Sequence, residues 1–295
     1  MVSMAVLAPR GFDMRNWFIT GASSGFGRAL AEAALARGDH VVGTVLDPAD
    51  APALEALAPG RAQAVVLDVT DRDASARAIE AAGRIDILVN NAGYSLEGVV
   101  EATSLDEMRR LIETHLIAPI ALSQAALPAM RKQRSGHIIN ISSQAAHMPG
   151  GGVSIYAAAK AGIETLSAGL AREVAQFGIW VTAVVPGAFR TALGTARRSA
   201  GARIADYEAS DQARRAFLAT LTGGQRGDPA RGAAAILALT DLPEPPMRFA
   251  IGPDAIEGLR DHAAELIENV RRWEALGSDT DFKSAAPAPA RRLAD

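Results

Sequence analysis

Short apolar runs alternate with longer segments of helical period along most of this chain, and that alternation is the pattern of parallel strands joined by crossover helices. Runs near 16–20, 40–46, 62–67, 85–90, 137–141, 179–185 and 247–251 read as buried strands. Stretches near 25–37, 71–82, 104–133, 154–176, 228–240 and 253–275 read as helices. Pro128 lies inside the third helix, where a missing N–H and a ring clashing with the preceding turn should kink or divide it. The expected fold class is α/β, a single doubly wound domain with helices on both faces of a parallel sheet.

The 295 residues suffice for one large core. A composition 49% hydrophobic and 21% charged, with a formal charge of −3, is that of an ordinary globular protein and gives no reason to expect nucleic acid as a partner. No apolar run approaches the roughly 18–20 residues of a membrane span, and the N-terminus lacks the apolar core of a secretory signal, so no membrane partner and a cytoplasmic location are expected. With no cysteine, and histidines at 40, 115, 137, 147 and 262 that show no ligand spacing, no metal site is expected.

Residues 1–13 show no periodicity and read as a loose extension, 14–276 as the folded domain, and 277–295, rich in Ser, Asp, Ala and Pro, as a disordered tail. At about 187–227 the strand-helix rhythm breaks into a long polar segment that leaves the carboxyl end of a strand. Ligands bind there in open α/β sheets, so this segment is expected to cover a substrate.

Thr20-Gly-Ala-Ser-Ser-Gly-Phe-Gly27 follows a strand and opens a helix, so backbone N–H groups and the positive helix end would face a pyrophosphate. Asp68-Val69 closes the third strand, where a carboxylate can accept from an adenine amino group or simply cap a turn. Asn90-Asn91-Ala92-Gly93 ends the fourth strand with small residues that allow backbone to approach a ligand, or serves as a plain turn. Tyr156 and Lys160 stand one helical turn apart on one face, and an ammonium there can stabilise a phenolate. Ser143 precedes that tyrosine at a strand end.

Together these residues, with Pro186-Gly187 and Thr191, occur in the order and approximate spacing of the short-chain dehydrogenase/reductase family, which the chain resembles from about residue 14 to 275. The resemblance implies a Rossmann-type sheet of about seven strands and an NAD(P)-dependent oxidoreductase interconverting a secondary alcohol and a ketone or aldehyde. It further implies Tyr156 as general acid or base, Lys160 lowering its pKa and holding the nicotinamide ribose, and Ser143 orienting the carbonyl. Gly21, Ser23, Ser24, Gly25, Phe26 and Gly27 would cradle the cofactor, with Leu46 at its ribose, Asp68 and Val69 at adenine, and Asn91, Ala92 and Gly93 along it. Pro186, Gly187, Phe189 and Thr191 would seat the nicotinamide. Leu96, Gln144, Ala145, Met148, Gly151 and Phe189 would build the substrate pocket.

The family usually has an asparagine 24 residues beyond Asn91, and His115 stands there. Its imidazole can relay a proton or be a buried group bonded to backbone, so its catalytic role is held open. The second strand ends in Val45-Leu46 with neither the acid of NAD enzymes nor the arginine of NADP enzymes, and the serines of the loop lean toward NADP. In relatives the helices near 104–133 and 154–176 pair about a two-fold axis, which implies a homodimer or homotetramer. The other readings on the same scaffold are a cofactor-binding sensor with little turnover and an epimerase or dehydratase.

Overall fold

The computed structural model describes residues 14–191, 197–202, 204–221, 224–280 and 282. The extension at 1–13, parts of the covering segment and most of the tail lie outside these described residues. In chain order, β1 (Asn16–Ile19), α1 (Gly25–Arg37), β2 (His40–Val45), α2 (Ala51–Glu55), β3 (Ala62–Val66), α3 (Arg72–Ala82) and β4 (Ile87–Asn90) come first. They are followed by β5 (Ser95–Glu97), α4 (Leu105–Ile112), α5 (Ala118–Gln133), β6 (Gly136–Ile141), α6 (Ser154–Val174) and β7 (Ile179–Pro186). Last are β8 (Arg197–Ser199), α7 (Glu208–Leu221), α8 (Pro229–Leu239), β9 (Arg248–Ile251) and α9 (Pro253–Ser278).

Seven strands form one parallel sheet in the order β3-β2-β1-β4-β6-β7-β9. The chain winds outward from β1 in one direction and then, through β4, in the other, so a crevice opens at the carboxyl ends of β1 and β4. Side chains alternate across the sheet as the pleat requires: Trp17 and Ile19 enter the core under α1 and α8, whereas Phe18 enters the core under α3 and α5. Both faces are thereby covered, which is why the strands read as nearly continuous apolar runs.

The long helix expected at 104–133 does divide, but not at Pro128, which stays inside α5. The interruption is the π-wound turn Glu113–Ile117 between α4 and α5. Pro119 accounts for it, because its ring cannot pack against the carbonyl four residues earlier, that of His115, and it has no N–H to give. Upstream, Ser104 and Glu107 form a capping box that fixes where α4 begins. The sequence also gave no sign of β5 and β8, three-residue strands that pair in parallel outside the main sheet and tie the polar covering segment to the chain after Gly93. Finally, α9 runs to Ser278, past the expected end at 275.

Candidate active site

A cavity of about 1100 Å³ lies along the carboxyl ends of the strands. At one end, Gly21 and Gly25 adopt positive φ values of 67° and 58°, which lets the turn after β1 double back before α1 begins. Gly27 sits beneath that turn rather than on the cavity wall, and any Cβ there would strike the Gly21 carbonyl. Ser24 is the N-cap of α1 but makes no side-chain cap bond, and the first turn of α1 carries no acid. Its N–H donors and positive helix end therefore suit a diphosphate.

The loop is held from β4. Asn91 Nδ2 donates to the Thr20 and Gly21 carbonyls at 2.9 and 3.1 Å, and Thr20 Oγ1 accepts from the N–H groups of Asn91 and Ala92. The Asn91 amide thus braces the glycine turn as well as lining the cavity. Asp68 lines the cavity too, yet its Oδ1 accepts from Thr70 N and Oγ1, so the turn-capping reading holds alongside any adenine contact. Leu46 is on the wall and exposed, while Asp47 caps the turn after it through Ala49 N. Arg28, the nearest base to the loop, is engaged with Glu32 and the Ala53 carbonyl.

At the other end Ser143, the N-cap of a short turn after β6, accepts from Ala145 N at 3.2 Å and shares the cavity wall with Tyr156. Burial pushes the Tyr156 phenol up to about 12, against a smaller lowering by the nearby Ser143 hydroxyl. Lys160 Nζ donates to the Ile141 carbonyl at 2.6 Å and lies 5.7 Å from the centre of the Tyr156 ring. Burial lowers its ammonium to about 8, against the pull of Glu164. His115 is buried: its Nε2 meets the Tyr94 carbonyl at 2.7 Å, its ring stands edge-on to Tyr156, and its Nδ1 has no partner among the described residues. Burial first, and Lys160 second, hold its pKa well below the usual value. It is therefore neutral near pH 7, and a side chain on Gly93 would collide with it.

The short chain dehydrogenase family pattern matches residues 15–202, well over half of the chain. This protein is a short-chain dehydrogenase. It is an NAD(P)-dependent oxidoreductase. The chain is 36% identical over 265 residues to Oxidoreductase BOA17 of Botryotinia fuckeliana, covering 88% of this chain and 97% of that one. A short-chain dehydrogenase from Streptomyces avermitilis superposes with a TM-score of 0.84 at 40% identity, covering 92% of this chain and all (100%) of that one. One from Sphingobium yanoikuyae, solved in complex with NADPH, gives a TM-score of 0.70 at 27% identity, covering 94% and 100% of the two chains.

In this dehydrogenase the residues expected at the cofactor all reach the cavity wall except Gly27, which supports it from below. Phe26 and Phe189 pack at a tilt with ring centres 4.8 Å apart, joining the glycine turn to the segment after β7. Of the expected pocket residues, Gln144, Ala145 and Phe189 line the cavity; Leu96, Met148 and Gly151 do not. Leu96 is buried against Leu111 and Tyr156, and Met148 lies over Gly258 of α9.

Several positioning groups carried no recognisable motif. Asp254, in the first turn of α9, accepts from Ala188 N at 2.6 Å and fixes the backbone after Pro186-Gly187. Glu164 accepts from Ser142 Oγ, His147 and Arg248, bracing the loop that presents Ser143. Arg214 bridges α7 to Glu97 of β5 at 2.7 Å, docking part of the covering segment beside the cavity. Tyr94, Arg110 and Arg198 line the same cavity, with the Arg198 guanidinium 4.5 Å above the Tyr94 ring.

Proposed function

We propose that the dehydrogenase reduces a carbonyl, or oxidises the corresponding secondary alcohol, with Tyr156 as the proton-transfer group. The supporting observation is the buried Tyr156 phenol, with Lys160 beside its ring and Ser143 on the same wall, in the cavity that the first turn of α1 also faces. NAD(P)H, held by the glycine turn and the segment after β7, would supply the hydride. In the reducing direction Tyr156 gives its proton to the substrate oxygen while the carbonyl carbon gains the hydride, and Ser143 holds that oxygen in place. The phenolate left behind is stabilised by the Lys160 ammonium, a charge present below about pH 8 and lost above it.

Two features bear on the partners of this reaction. The second strand offers no carboxylate to the ribose, since Asp47 is off the cavity wall, with its Oδ1 capping the next turn at Ala49 N; this supports NADP over NAD. At the cavity, Arg109 pairs with Asp106 and Arg214 with Glu97, but no carboxylate bonds Arg110 or Arg198 among the described residues. Both guanidinium groups act on Tyr94, whose ring lies 5.7 Å from that of His115 and thus close to the reacting end. This arrangement supports a carbonyl substrate carrying an anionic group at its far end. The segment at 187–227 would cover it.

The test is a panel of neutral and carboxylate-bearing ketones, aldehydes and alcohols read by cofactor absorbance, with both cofactors. Turnover that falls by about 10²-fold or more in Tyr156→Phe, with cofactor still bound, supports the reading. Cofactor binding with no net change in absorbance on any substrate would move the protein to the sensor or epimerase reading. In Arg198→Ser, KM should rise for the anionic substrates and stay level for the neutral ones; an equal change for both removes the anionic group.

A further inference from the structure

The last helix reaches beyond the domain it starts on. At its base, Ala255 and Gly258 of α9 are buried and His262 meets His147 edge-on, ring centres 5.4 Å apart. From 263 to 278 every residue is exposed, including Leu266, Ile267, Val270, Trp273 and Leu276, which are 53–75% accessible. Helical segments of that length are marginal in water without a packed face. The apolar positions are not scattered. Ile256, Leu259, Ala263, Leu266, Val270 and Trp273 recur at alternating steps of three and four, the seam of a two-helix coiled coil, while Glu265, Glu268, Arg271 and Arg272 fall on the far side.

We propose that this seam is a docking surface for a second copy of the chain, with the two α9 helices packed antiparallel about a two-fold axis near residue 268. One register joins apolar contact along the middle of the seam to opposite charges at its flank. It sets Leu266 of one copy against Val270 of the second, the small Ala263 against the large Trp273, and Leu259 against Gly277, where the second helix comes closest to the domain. The same register places Arg260 of one copy opposite Glu274 of the second at the flank, twice by symmetry, and brings the two Ile267 side chains together. A parallel in-register pair would instead leave Trp273 facing Trp273 and Ala263 facing Ala263, and would hold Arg260 of one copy away from Glu274 of the second. The Arg260–Glu274 flank and the pairing of small Ala263 with large Trp273 select this register within the isologous contact. This surface is separate from the α5 and α6 faces and holds whatever substrate the enzyme takes.

Sedimentation equilibrium of the full chain tests it, because residues 266 and 270 are exposed and their replacement leaves the domain core untouched. Leu266→Asp/Val270→Asp is expected to halve the mass of the wild-type assembly while activity per subunit stays within about 2-fold. An unchanged mass overturns the pairing. Arg260→Glu is expected to weaken association about 10-fold or more, and adding Glu274→Arg to restore it; failure of the double variant to recover overturns the register. Since the chain contains no cysteine, Leu266→Cys/Val270→Cys supplies an unambiguous second readout. It should yield disulfide-linked dimers under mild oxidation, whereas Glu265→Cys/Glu268→Cys, on the far side, should not. Equal crosslinking of the two pairs would sink the proposed face.

Discussion

The His115 imidazole stands edge-on to the Tyr156 ring, centres 5.4 Å apart and planes at 84°. It also holds the Tyr94 carbonyl, so one buried ring spans the proton-transfer residue and the wall where Arg198 stacks.

His115 should therefore matter more as a neutral hydrogen-bonding ring than as a titrating one. Burial and Lys160 both disfavour its cation, so its folded pKa lies well below 6.5 and kcat should show no step there. His115→Ala removes the ring behind Tyr156 and is expected to lower kcat about 10-fold, in line with the sensitivity of proton transfer to placement. His115→Asn keeps a polar group and should retain or raise turnover. Steady-state kinetics from pH 5.5 to 8 checks both; an unaffected alanine variant removes His115 from the mechanism.

Glu164 is the buried carboxylate under the loop of Ser142 and Ser143. It accepts from Ser142 Oγ at 2.6 Å, Arg248 Nε at 2.8 Å and His147 Nε2 at 2.9 Å. Glu164→Ala strands the His147 donor and leaves Ser142 Oγ only the Lys160 carbonyl at 3.2 Å, at a cost of about 2–3 kcal/mol read by urea unfolding. Glu164→Gln keeps an acceptor oxygen and should lose less. Because Glu164 acts through the loop, kcat should fall more in the alanine variant than KM rises.

The glycine turn, the seven strands and the Ser143, Tyr156 and Lys160 set were legible because each rests on a local constraint. Phe18 and its neighbours had to be apolar on both faces, and Gly27 had to lack a Cβ. What escaped notice is nonlocal. Arg214 and Glu97 stand 117 residues apart, and Asp254 meets Ala188 across 66, distances over which no spacing rule operates. Pro128 misled for the opposite reason: two prolines compete to perturb the same long helix, and only the packing shows that the strain is taken up at Pro119. Leu96 read as pocket-facing because its position after Gly93 says nothing of which way a three-residue strand turns its side chains.

Gly27→Ala offers a sharp test of the cradle. The added methyl would meet the Gly21 carbonyl and the Asn91 amide, and the carbonyl is backbone that cannot swing aside. The turn must open, taking the Asn91 bonds with it. Cofactor affinity measured by NADPH fluorescence should fall at least about 10-fold, or ~1.4 kcal/mol, while the far-UV spectrum stays that of the wild type. Unchanged affinity would mean that the turn does not form the diphosphate site.

A second buried histidine is expected to couple the stability of the fold to acid. His137 in β6 is buried, and its pKa is lowered to about 4 by burial and by Arg15. Thr182 Oγ1 already donates its proton to the Pro246 carbonyl at 2.8 Å, so it must accept from His137 Nε2–H, which fixes the neutral tautomer. The unfolded chain takes up a proton near pH 6.5 where the folded chain does not, so stability present above 6.5 is lost as pH falls toward 4. The full span corresponds to at most about 3 kcal/mol. His137→Gln keeps a donor and has no titration, so its urea midpoint should start lower at pH 7 yet fall less between pH 7 and 4.5 than that of the wild type. Parallel curves for the two proteins would show that His137 is not the group that couples folding to acid.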